Sequence, residues 1–321
     1  MTQIDDTTEE ATEVIPEIGL RRDVENKVYR AWKAASNSDL SIIKNFSPMH
    51  MHYKRTNPPE PTPALAFGSA LHTAVLEPHK FSEEYVVAGQ CNALVKSTGR
   101  PCQNDGSVLC GSHWYCRTKG HAPGPDESGE LKVITQDDKE KINNIVQAIS
   151  FHPAARGLIE SPGDNELSAV FNHAENGQLC KLRADMWRPE WEAIVDVKTT
   201  ENASREEFER SLTDYGYHRQ AAFYLDGLNA NGIPAKYFAL IVVEKSAPYG
   251  VAVYRLMEDA IDAGREQLKR LVRIYKNCAD NEANLIRQGK SGASAYYGYE
   301  SQLQDISITQ WEMRKIIRGE Q

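Results

Sequence analysis

The order of strand and helix patterns at the centre of the chain constrains the fold more than any other feature of the sequence. Residues 166–199 contain three apolar runs separated by turn sequences, which predicts three consecutive strands. An amphipathic helix is predicted over 205–229, followed by strands over 237–245 and 251–256 and a helix over 258–278. Three strands, a helix, two strands and a helix predict an α/β core.

Shifts in composition divide the rest of the chain into segments. Residues 1–20 contain six acidic residues and no Lys or Arg, which predicts a disordered acidic tail. Residues 21–87 have helical periodicity and contain a Pro-rich connector, and residues 88–130 are rich in Cys and Gly and predict a small insert. Residues 131–285 complete the core, and residues 286–321 form an extension with a short predicted helix.

The charge and hydropathy of the chain exclude several classes of protein. The formal charge is −8, of which −6 lies in the first 20 residues, so a protein that coats nucleic acid through its overall field is excluded, whereas a local basic groove is not. The apolar runs are too short to cross a membrane, and the N-terminus lacks a signal peptide. We therefore expect a cytoplasmic protein with reduced cysteines and no membrane partner.

Two carboxylates and a lysine stand on neighbouring predicted strands. Asp196 and Lys198 point to one face of their strand, and Val195 and Val197 point to the other. A tight turn between the strands would place Asp185 nearly opposite Asp196. Facing carboxylates persist most readily around a divalent cation, and oxygen ligands suit Mg²⁺ or Mn²⁺. The pattern indicates metal-assisted phosphodiester hydrolysis, and the alternative is a surface hairpin with an ordinary ion pair.

The spacing Asp185-x10-Asp196-x-Lys198 is similar to that of the PD-(D/E)xK nuclease superfamily. Four ordered segments, 67–78, 182–185, 194–200 and 214–224, more specifically resemble the RecE-type (exonuclease VIII) nucleases. The resemblance covers roughly residues 29–278, apart from the insert. It implies a restriction-endonuclease-like core, in which helices flank a mixed central sheet.

The resemblance also implies roles for individual residues. Asp185 and Asp196 would be catalytic metal-binding carboxylates, Lys198 the catalytic lysine, and the backbone carbonyl of Val197 a further ligand. His72 matches the motif histidine of the family and would also bind the metal. Taken without the resemblance, His72 is a core histidine on an apolar helix face.

Three further residues match the family with less specific patterns. Glu166 would be another metal ligand, and the alternative is a solvated residue at the start of a strand. Gln220 and Tyr224 lie four residues apart on one helix face, where they would hold the active site or a DNA phosphate. The alternative for this pair is simple packing of the helix on the sheet.

The resemblance therefore implies a Mg²⁺-dependent deoxyribonuclease. The expected activity is 5′→3′ digestion of linear double-stranded DNA, which leaves single strands for recombination. The family further implies a ring-like homo-oligomer that encircles DNA and works with a single-strand annealing recombinase. The alternatives are a single-strand nuclease or an endonuclease of the same fold, and a non-catalytic, zinc-dependent DNA-binding module.

The insert contains a second candidate metal site. Cys91, Cys102, Cys110 and His113 supply four ligands of the kinds that a structural Zn²⁺ ion takes. The segment resembles small zinc-binding modules of phage and bacterial proteins. An iron–sulfur cluster with Cys116 as the fourth thiolate is one alternative, and unligated cysteines are the other.

The surroundings of these cysteines indicate a possible role for the insert. Several basic and aromatic side chains flank the predicted ligands, which favours contact with nucleic acid, although a protein partner or a second subunit is also compatible. These side chains are Lys96, Arg100, Trp114, Arg117 and Lys119. The remaining cysteines, Cys180 and Cys278, lie in apolar patterns and are expected in the core.

Overall fold

A computed structural model describes residues 14–59, 62–104, 106–124 and 131–318. The helices are α1 (Asn26–Ala31), α2 (Asn37–Asn45), α3 (Pro48–Thr56), α4 (Pro63–Leu76), α5 (Pro78–Glu84), α6 (Gln136–Phe151), α7 (Pro153–Glu160), α8 (Arg205–Asp214), α9 (Tyr217–Ala230), α10 (Glu258–Arg287) and α11 (Gln310–Arg318). The strands are β1 (Gly19–Arg21), β2 (Tyr85–Val87), β3 (Val108–Cys110), β4 (His113–Tyr115), β5 (Lys132–Ile134), β6 (Asp164–Asn172), β7 (Leu179–Arg188), β8 (Ala193–Thr200), β9 (Tyr237–Glu244) and β10 (Val251–Arg255).

Six strands form the central sheet in the order β1-β6-β7-β8-β9-β10. The β8–β9 pair is parallel, whereas the other neighbouring pairs are antiparallel. A parallel pair needs a crossover connection, and α8 and α9 supply it between β8 and β9. The mixed α/β core expected from the sequence is confirmed.

Helices cover both faces of the sheet and bury two apolar clusters. Ile194 of β8 packs in the cluster that contains residues of α2, α9 and α10. Val195 and Val197 pack in the opposite cluster, with residues of α4, α6 and α7. This alternation along β8 agrees with the prediction from the sequence and directs Asp196 and Lys198 towards α9. Within the described residues, the helices are too short or too polar to cross a membrane.

A glycine divides the helix that the sequence predicts over 205–229. The chain forms two helices, α8 and α9, and Gly216 between them has φ of +72°. A Cβ atom at this position would lie 2.2 Å from Nη2 of Arg219, so a larger residue would also displace that buried guanidinium. The break places Tyr217 and Gln220 in the first turn of α9.

The predicted tail, residues 1–20, differs from the structure at its end. Residues 1–13 lie outside the described residues. Val14 forms a bridge with Trp32, and β1 pairs with β6 at the edge of the sheet. The prediction of disorder is therefore wrong for Gly19 and Leu20, because their extended backbone satisfies hydrogen-bonding groups at the edge of β6.

A buried arginine holds the end of α7 against the sheet. Arg188 is 2% exposed, and it donates to the carbonyl groups of Leu158 and Ile159 at 2.7 and 3.2 Å and to Oδ1 of Asn165 at 2.9 Å. Burial lowers the pKa of this guanidinium. The contacts satisfy carbonyl groups that the helix end would otherwise leave unpaired.

Arg188→Ala is expected to lower the free energy of unfolding by about 3 kcal/mol, because it leaves buried acceptors without donors and creates a cavity. Urea unfolding followed by circular dichroism measures the change. Arg205→Ala is the control, since Arg205 is exposed and pairs with Glu209, and a change below about 0.5 kcal/mol is expected there. Equal effects of the two substitutions would contradict this role of Arg188.

Candidate active site

The strands β7 and β8 separate where the predicted carboxylates lie. Their pairing includes Met186 opposite Val195, and the same register would next place Asp185 opposite Asp196. At this point Oδ2 of Asp185 instead accepts the backbone N–H of Val197 at 3.0 Å. A side chain thus replaces the ladder hydrogen bond, and an opening forms between the two strands.

Asp196 is buried between a lysine and an amide. Its side chain is 1% exposed, Lys198 Nζ lies 2.6 Å from Oδ2, and Gln220 Nε2 donates to Oδ1 at 2.7 Å. Burial and the neighbouring Asp185 raise the pKa of Asp196. The structure therefore brings together four of the residues that the sequence predicts to be catalytic, which are Asp185, Asp196, Lys198 and Gln220.

Lys198 is held as an ammonium group. Burial acts to lower the pKa of Lys198, but the carboxylates of Asp196 and Asp185 outweigh it and the pKa is raised. Nζ also lies 4.9 Å from the centre of the Tyr217 ring, within range of a cation–π contact. Because the group stays protonated, it is suited to stabilise negative charge rather than to remove a proton.

Three predicted metal ligands form a cluster beside this ion pair. Ligand atoms of His72, Glu166 and Asp185 all lie within 4.8 Å of one another, and His72 Nδ1 is 3.4 Å from Oδ2 of Asp185. Each side chain is partly exposed, so a phosphate group can reach the cluster. Asp196 is not one of its members but lies one strand away, on the other side of Asp185.

Glu166 occupies an unusual position in the cluster. Its backbone φ is +50°, in the left-handed region that is uncommon for residues other than glycine. Burial, followed by repulsion from Asp185, raises the pKa of Glu166 to about 7. Arg183 Nη1 lies 3.8 Å away and offsets only part of this effect. A bound cation would remove the conflict between these carboxylates.

Glu166→Gln is expected to stabilise the protein at pH 8 when Mg²⁺ is omitted. Above pH 7 the folded state holds an ionised Glu166 at a cost absent from the unfolded chain, so the gain is about 1–3 kcal/mol; it declines as the pH falls below 7 and is lost below about pH 4.5. Added Mg²⁺ should raise the melting temperature of the variant less than that of the wild type.

The control for this prediction is Glu190→Gln, which removes the same charge at an exposed position. Its stability should stay close to that of the wild type at each pH, both with and without Mg²⁺. If Glu166→Gln instead destabilises the protein at pH 8, the carboxylate acts mainly as a partner of Arg183.

Tyr224 joins the active site to the core. Its ring packs near those of Phe223 and Phe238, with centroids 6.4 and 6.3 Å away. Burial raises the pKa of Tyr224 well above its ordinary value, an effect that a hydrogen bond with Gln220 opposes. The hydroxyl group therefore stays protonated beside the amide that holds Asp196, while the ring packs in the core as the alternative interpretation of this helix expects.

The residues of the opening are suited to a hard divalent cation. Oδ2 of Asp196 is buried and accepts no directed hydrogen bond from the described residues, although the Lys198 ammonium neutralises its charge. The neighbouring cluster adds two carboxylates and an imidazole. Such a set, rich in oxygen and open on one side, suits Mg²⁺ or Mn²⁺ bound near a phosphate.

The insert brings together a different set of cysteine and histidine ligands. Ligand atoms of Cys91, Cys102, Cys116 and His121 lie within 4.8 Å of one another. Sγ of Cys116 is 3.8 Å from Sγ of Cys102 and 3.2 Å from Nδ1 of His121. Hydrogen bonding by Thr118 is the largest cause that lowers the pKa of Cys116 to about 5, which favours the thiolate that metals bind.

Two of the predicted ligands, Cys110 and His113, lie outside this set. They pair with each other next to the turn of the β3–β4 hairpin, where Gly111 has φ of +61°. Cys116 follows the opposite end of β4, and its backbone N–H donates to Sγ of Cys91. The hairpin therefore explains why Cys110 and His113 are not members of the cluster. The short separation of Cys116 and His121 in the sequence was the signal that could have identified these two members instead.

Comparisons with known proteins agree with this architecture. The model of a family described as "PDDEXK-like domain of unknown function (DUF3799)" matches residues 40–295. No curated protein matches the sequence.

A comparison with solved structures supports the same fold. A protein from Eubacterium rectale, described as a "Putative exonuclease", shares 13% identity over 88% of this chain and 92% of its own, with a TM-score of 0.50. This likeness establishes the fold alone. A structure of SSO0001, with 14% identity over 40% of this chain and 59% of its own, has a TM-score of 0.25, too low to support an inference. By the family match, the chain belongs to the PDDEXK-like domains of the DUF3799 family.

Proposed function

We propose that the protein is a Mg²⁺- or Mn²⁺-dependent deoxyribonuclease. The observation that carries this proposal is the buried Asp196–Lys198 pair beside Asp185, at the point where β7 and β8 separate. In a PDDEXK-like domain this is the expected place for nuclease chemistry. A surface hairpin with an ordinary ion pair is a poorer interpretation, because Asp196 is 1% exposed.

Each residue has a distinct task in the proposed reaction. His72, Glu166, Asp185 and Asp196, with the carbonyl group of Val197, would hold the cation, which supplies Lewis-acid polarisation of the phosphate and lowers the pKa of water. The Lys198 ammonium stabilises the charge that develops on the phosphate oxygens. Gln220 fixes the orientation of Asp196, and Tyr224 fixes that of Gln220.

The substrate and polarity follow from the resemblance to RecE-type nucleases. We propose 5′→3′ digestion of linear double-stranded DNA by a ring-like homo-oligomer in the cytoplasm, in a recombination pathway with a single-strand annealing protein. A single-strand nuclease or an endonuclease with the same active site is the second candidate.

End-labelled substrates test the activity and its polarity. Purified protein is mixed with Mg²⁺ and blunt linear duplex labelled at the 5′ or 3′ end, and with closed circular duplex. The proposal predicts early release of the 5′ label as short products, late release of the 3′ label and an intact circle. Cleavage of the circle would indicate an endonuclease, and the absence of cleavage with Mg²⁺ and Mn²⁺ would overturn the nuclease proposal.

We further propose that the insert binds a structural Zn²⁺ ion through Cys91, Cys102, Cys116 and His121. Three thiolates and an imidazole form a closed four-ligand set that suits Zn²⁺ and leaves no position for a substrate. An iron–sulfur cluster would more often use four cysteines, whereas one of these ligands is histidine.

A further inference from the structure

Basic residues are concentrated in the described part of the insert. The described residues 88–104 and 106–124 contain four basic residues and no acidic one, although the whole chain carries −8. The acidic residues of the insert are Asp105 and three residues in 126–130, and all of them lie outside the described residues. The basic surface of the insert is defined here as Lys96, Arg100, Arg117 and Lys119.

The cations of this basic surface are exposed and have no carboxylate partner among the described residues. Several exposed lysines in the body of the protein are paired with carboxylates, as Lys245 is with Glu201 at 3.1 Å and Lys236 is with Glu192 at 2.8 Å. Unpaired cations in one region repel each other and raise the local positive potential. The region is therefore suited to bind an anion.

The folded insert brings cations from two separate segments together. Nζ of Lys96 lies 3.4 Å from the place that a Cβ atom of Gly120 would occupy, so it stands beside the 117–120 turn. The metal-ligand cluster joins the same two segments, since Cys91 and Cys102 flank Lys96 and Cys116 precedes Arg117.

An open hollow lies along this surface. It has a volume of about 440 Å³ and is lined by Arg117, Lys119 and the backbone of Gly120, next to Cys116. Guanidinium and ammonium groups in such a hollow match the oxygens of phosphate groups. Trp114 is not part of this surface, because it packs against Gly89 and Gly106 inside the insert.

We propose that the basic surface of the insert binds the phosphodiester backbone of duplex DNA, as a second contact apart from the active site. The proposal rests on the proposed function, in which DNA is the substrate. Phosphate contacts add affinity without selecting a sequence, which suits a nuclease that must hold any DNA.

Salt-dependent DNA binding tests this proposal. Full-length protein with Lys198→Ala, which prevents cleavage, is titrated against a fluorescent blunt duplex of about 30 bp at several NaCl concentrations. Changing Lys96, Arg100, Arg117 and Lys119 to Gln should weaken binding by about tenfold or more. The slope of log K against log [NaCl] should become shallower by about 3–4, since each phosphate contact contributes about 0.9.

The matched control removes four paired lysines from the body of the protein, by changing Lys236, Lys245, Lys269 and Lys276 to Gln. It has the same net charge but should bind within about threefold of the parent. Elemental analysis of bound zinc in both variants checks that the insert is folded. Equal affinities and slopes for the two variants would overturn the proposal. It would also be overturned if an acidic peptide of residues 125–130 competed for the basic surface as well as unlabelled DNA does.

The same substitutions with Lys198 intact separate this proposal from the proposed function. If both proposals hold, the insert variant cleaves with a raised KM and an unchanged kcat. If only the nuclease proposal holds, the two variants cleave alike. If the nuclease proposal fails, no protein cleaves, yet the difference in binding still decides the role of the insert.

Discussion

Lys198→Ala is expected to lower the rate of DNA cleavage by about 10³-fold at saturating Mg²⁺ and DNA. The ammonium lies 2.6 Å from Asp196 and keeps its proton, so its loss removes a fixed positive charge from the place where the phosphate becomes more negative. Asp196→Asn should have an effect of similar size, because it removes the charge of a carboxylate that is proposed to bind the metal. Release of acid-soluble nucleotide from linear duplex measures both effects.

Lys245→Ala is the control for this prediction. Lys245 follows β9 and is 42% exposed in an ion pair with Glu201, so its removal should change the rate less than twofold. Since Lys198→Ala leaves Asp196 buried without a cation, thermal unfolding must show that the variant is folded at the assay temperature. A folded Lys198→Ala variant with the wild-type rate would refute the assignment of the active site.

Cys116→Ser and His121→Ala should each lose the Zn²⁺ ion proposed for the insert, whereas Cys110→Ser and His113→Ala should retain it. The first pair contributes ligand atoms to the four-residue cluster, and the second pair stands at the hairpin turn. A four-ligand site that loses one ligand binds Zn²⁺ far more weakly, and a segment with little core depends on the metal to fold.

Elemental analysis after exhaustive dialysis gives the zinc content, and limited proteolysis reports whether the insert is folded. The expected result is about one zinc per chain for the wild type and the Cys110 and His113 variants, and faster cleavage within 88–130 for the other two. Loss of zinc from Cys110→Ser, together with its retention in Cys116→Ser, would contradict the cluster of the structure. That result would favour the ligands predicted from the sequence, which include Cys110 and His113.

Local periodicity was sufficient to predict the arrangement around β8. Side chains alternate along a strand, so Asp196 and Lys198 had to share a face opposite Val195 and Val197. The short turn before β8 likewise fixed the register that brings Asp185 towards Asp196. These relations involve residues close in sequence, which is why the pattern indicates them correctly.

Relations that depend on tertiary packing were not visible in the sequence. The composition of the cysteine cluster depends on a hairpin that pairs Cys110 with His113 beside the turn, and sequence spacing does not reveal that turn. The contact of Tyr217 with Lys198 depends on the break at Gly216. Strand β1 forms only because β6 offers a free edge, and neither local propensity nor charge indicates such a pairing.

The central claim is that the opening between β7 and β8 binds a divalent cation for phosphodiester hydrolysis. Anomalous scattering from crystals soaked in Mn²⁺ tests it most directly, and data collected at the zinc edge test the zinc proposed for the insert in the same crystals. The account predicts a Mn²⁺ peak in direct contact, at about 2.1 Å, with Asp185 and at least one of His72, Glu166 and Asp196. Crystals in which Mn²⁺ binds elsewhere and leaves this opening without a peak would contradict it.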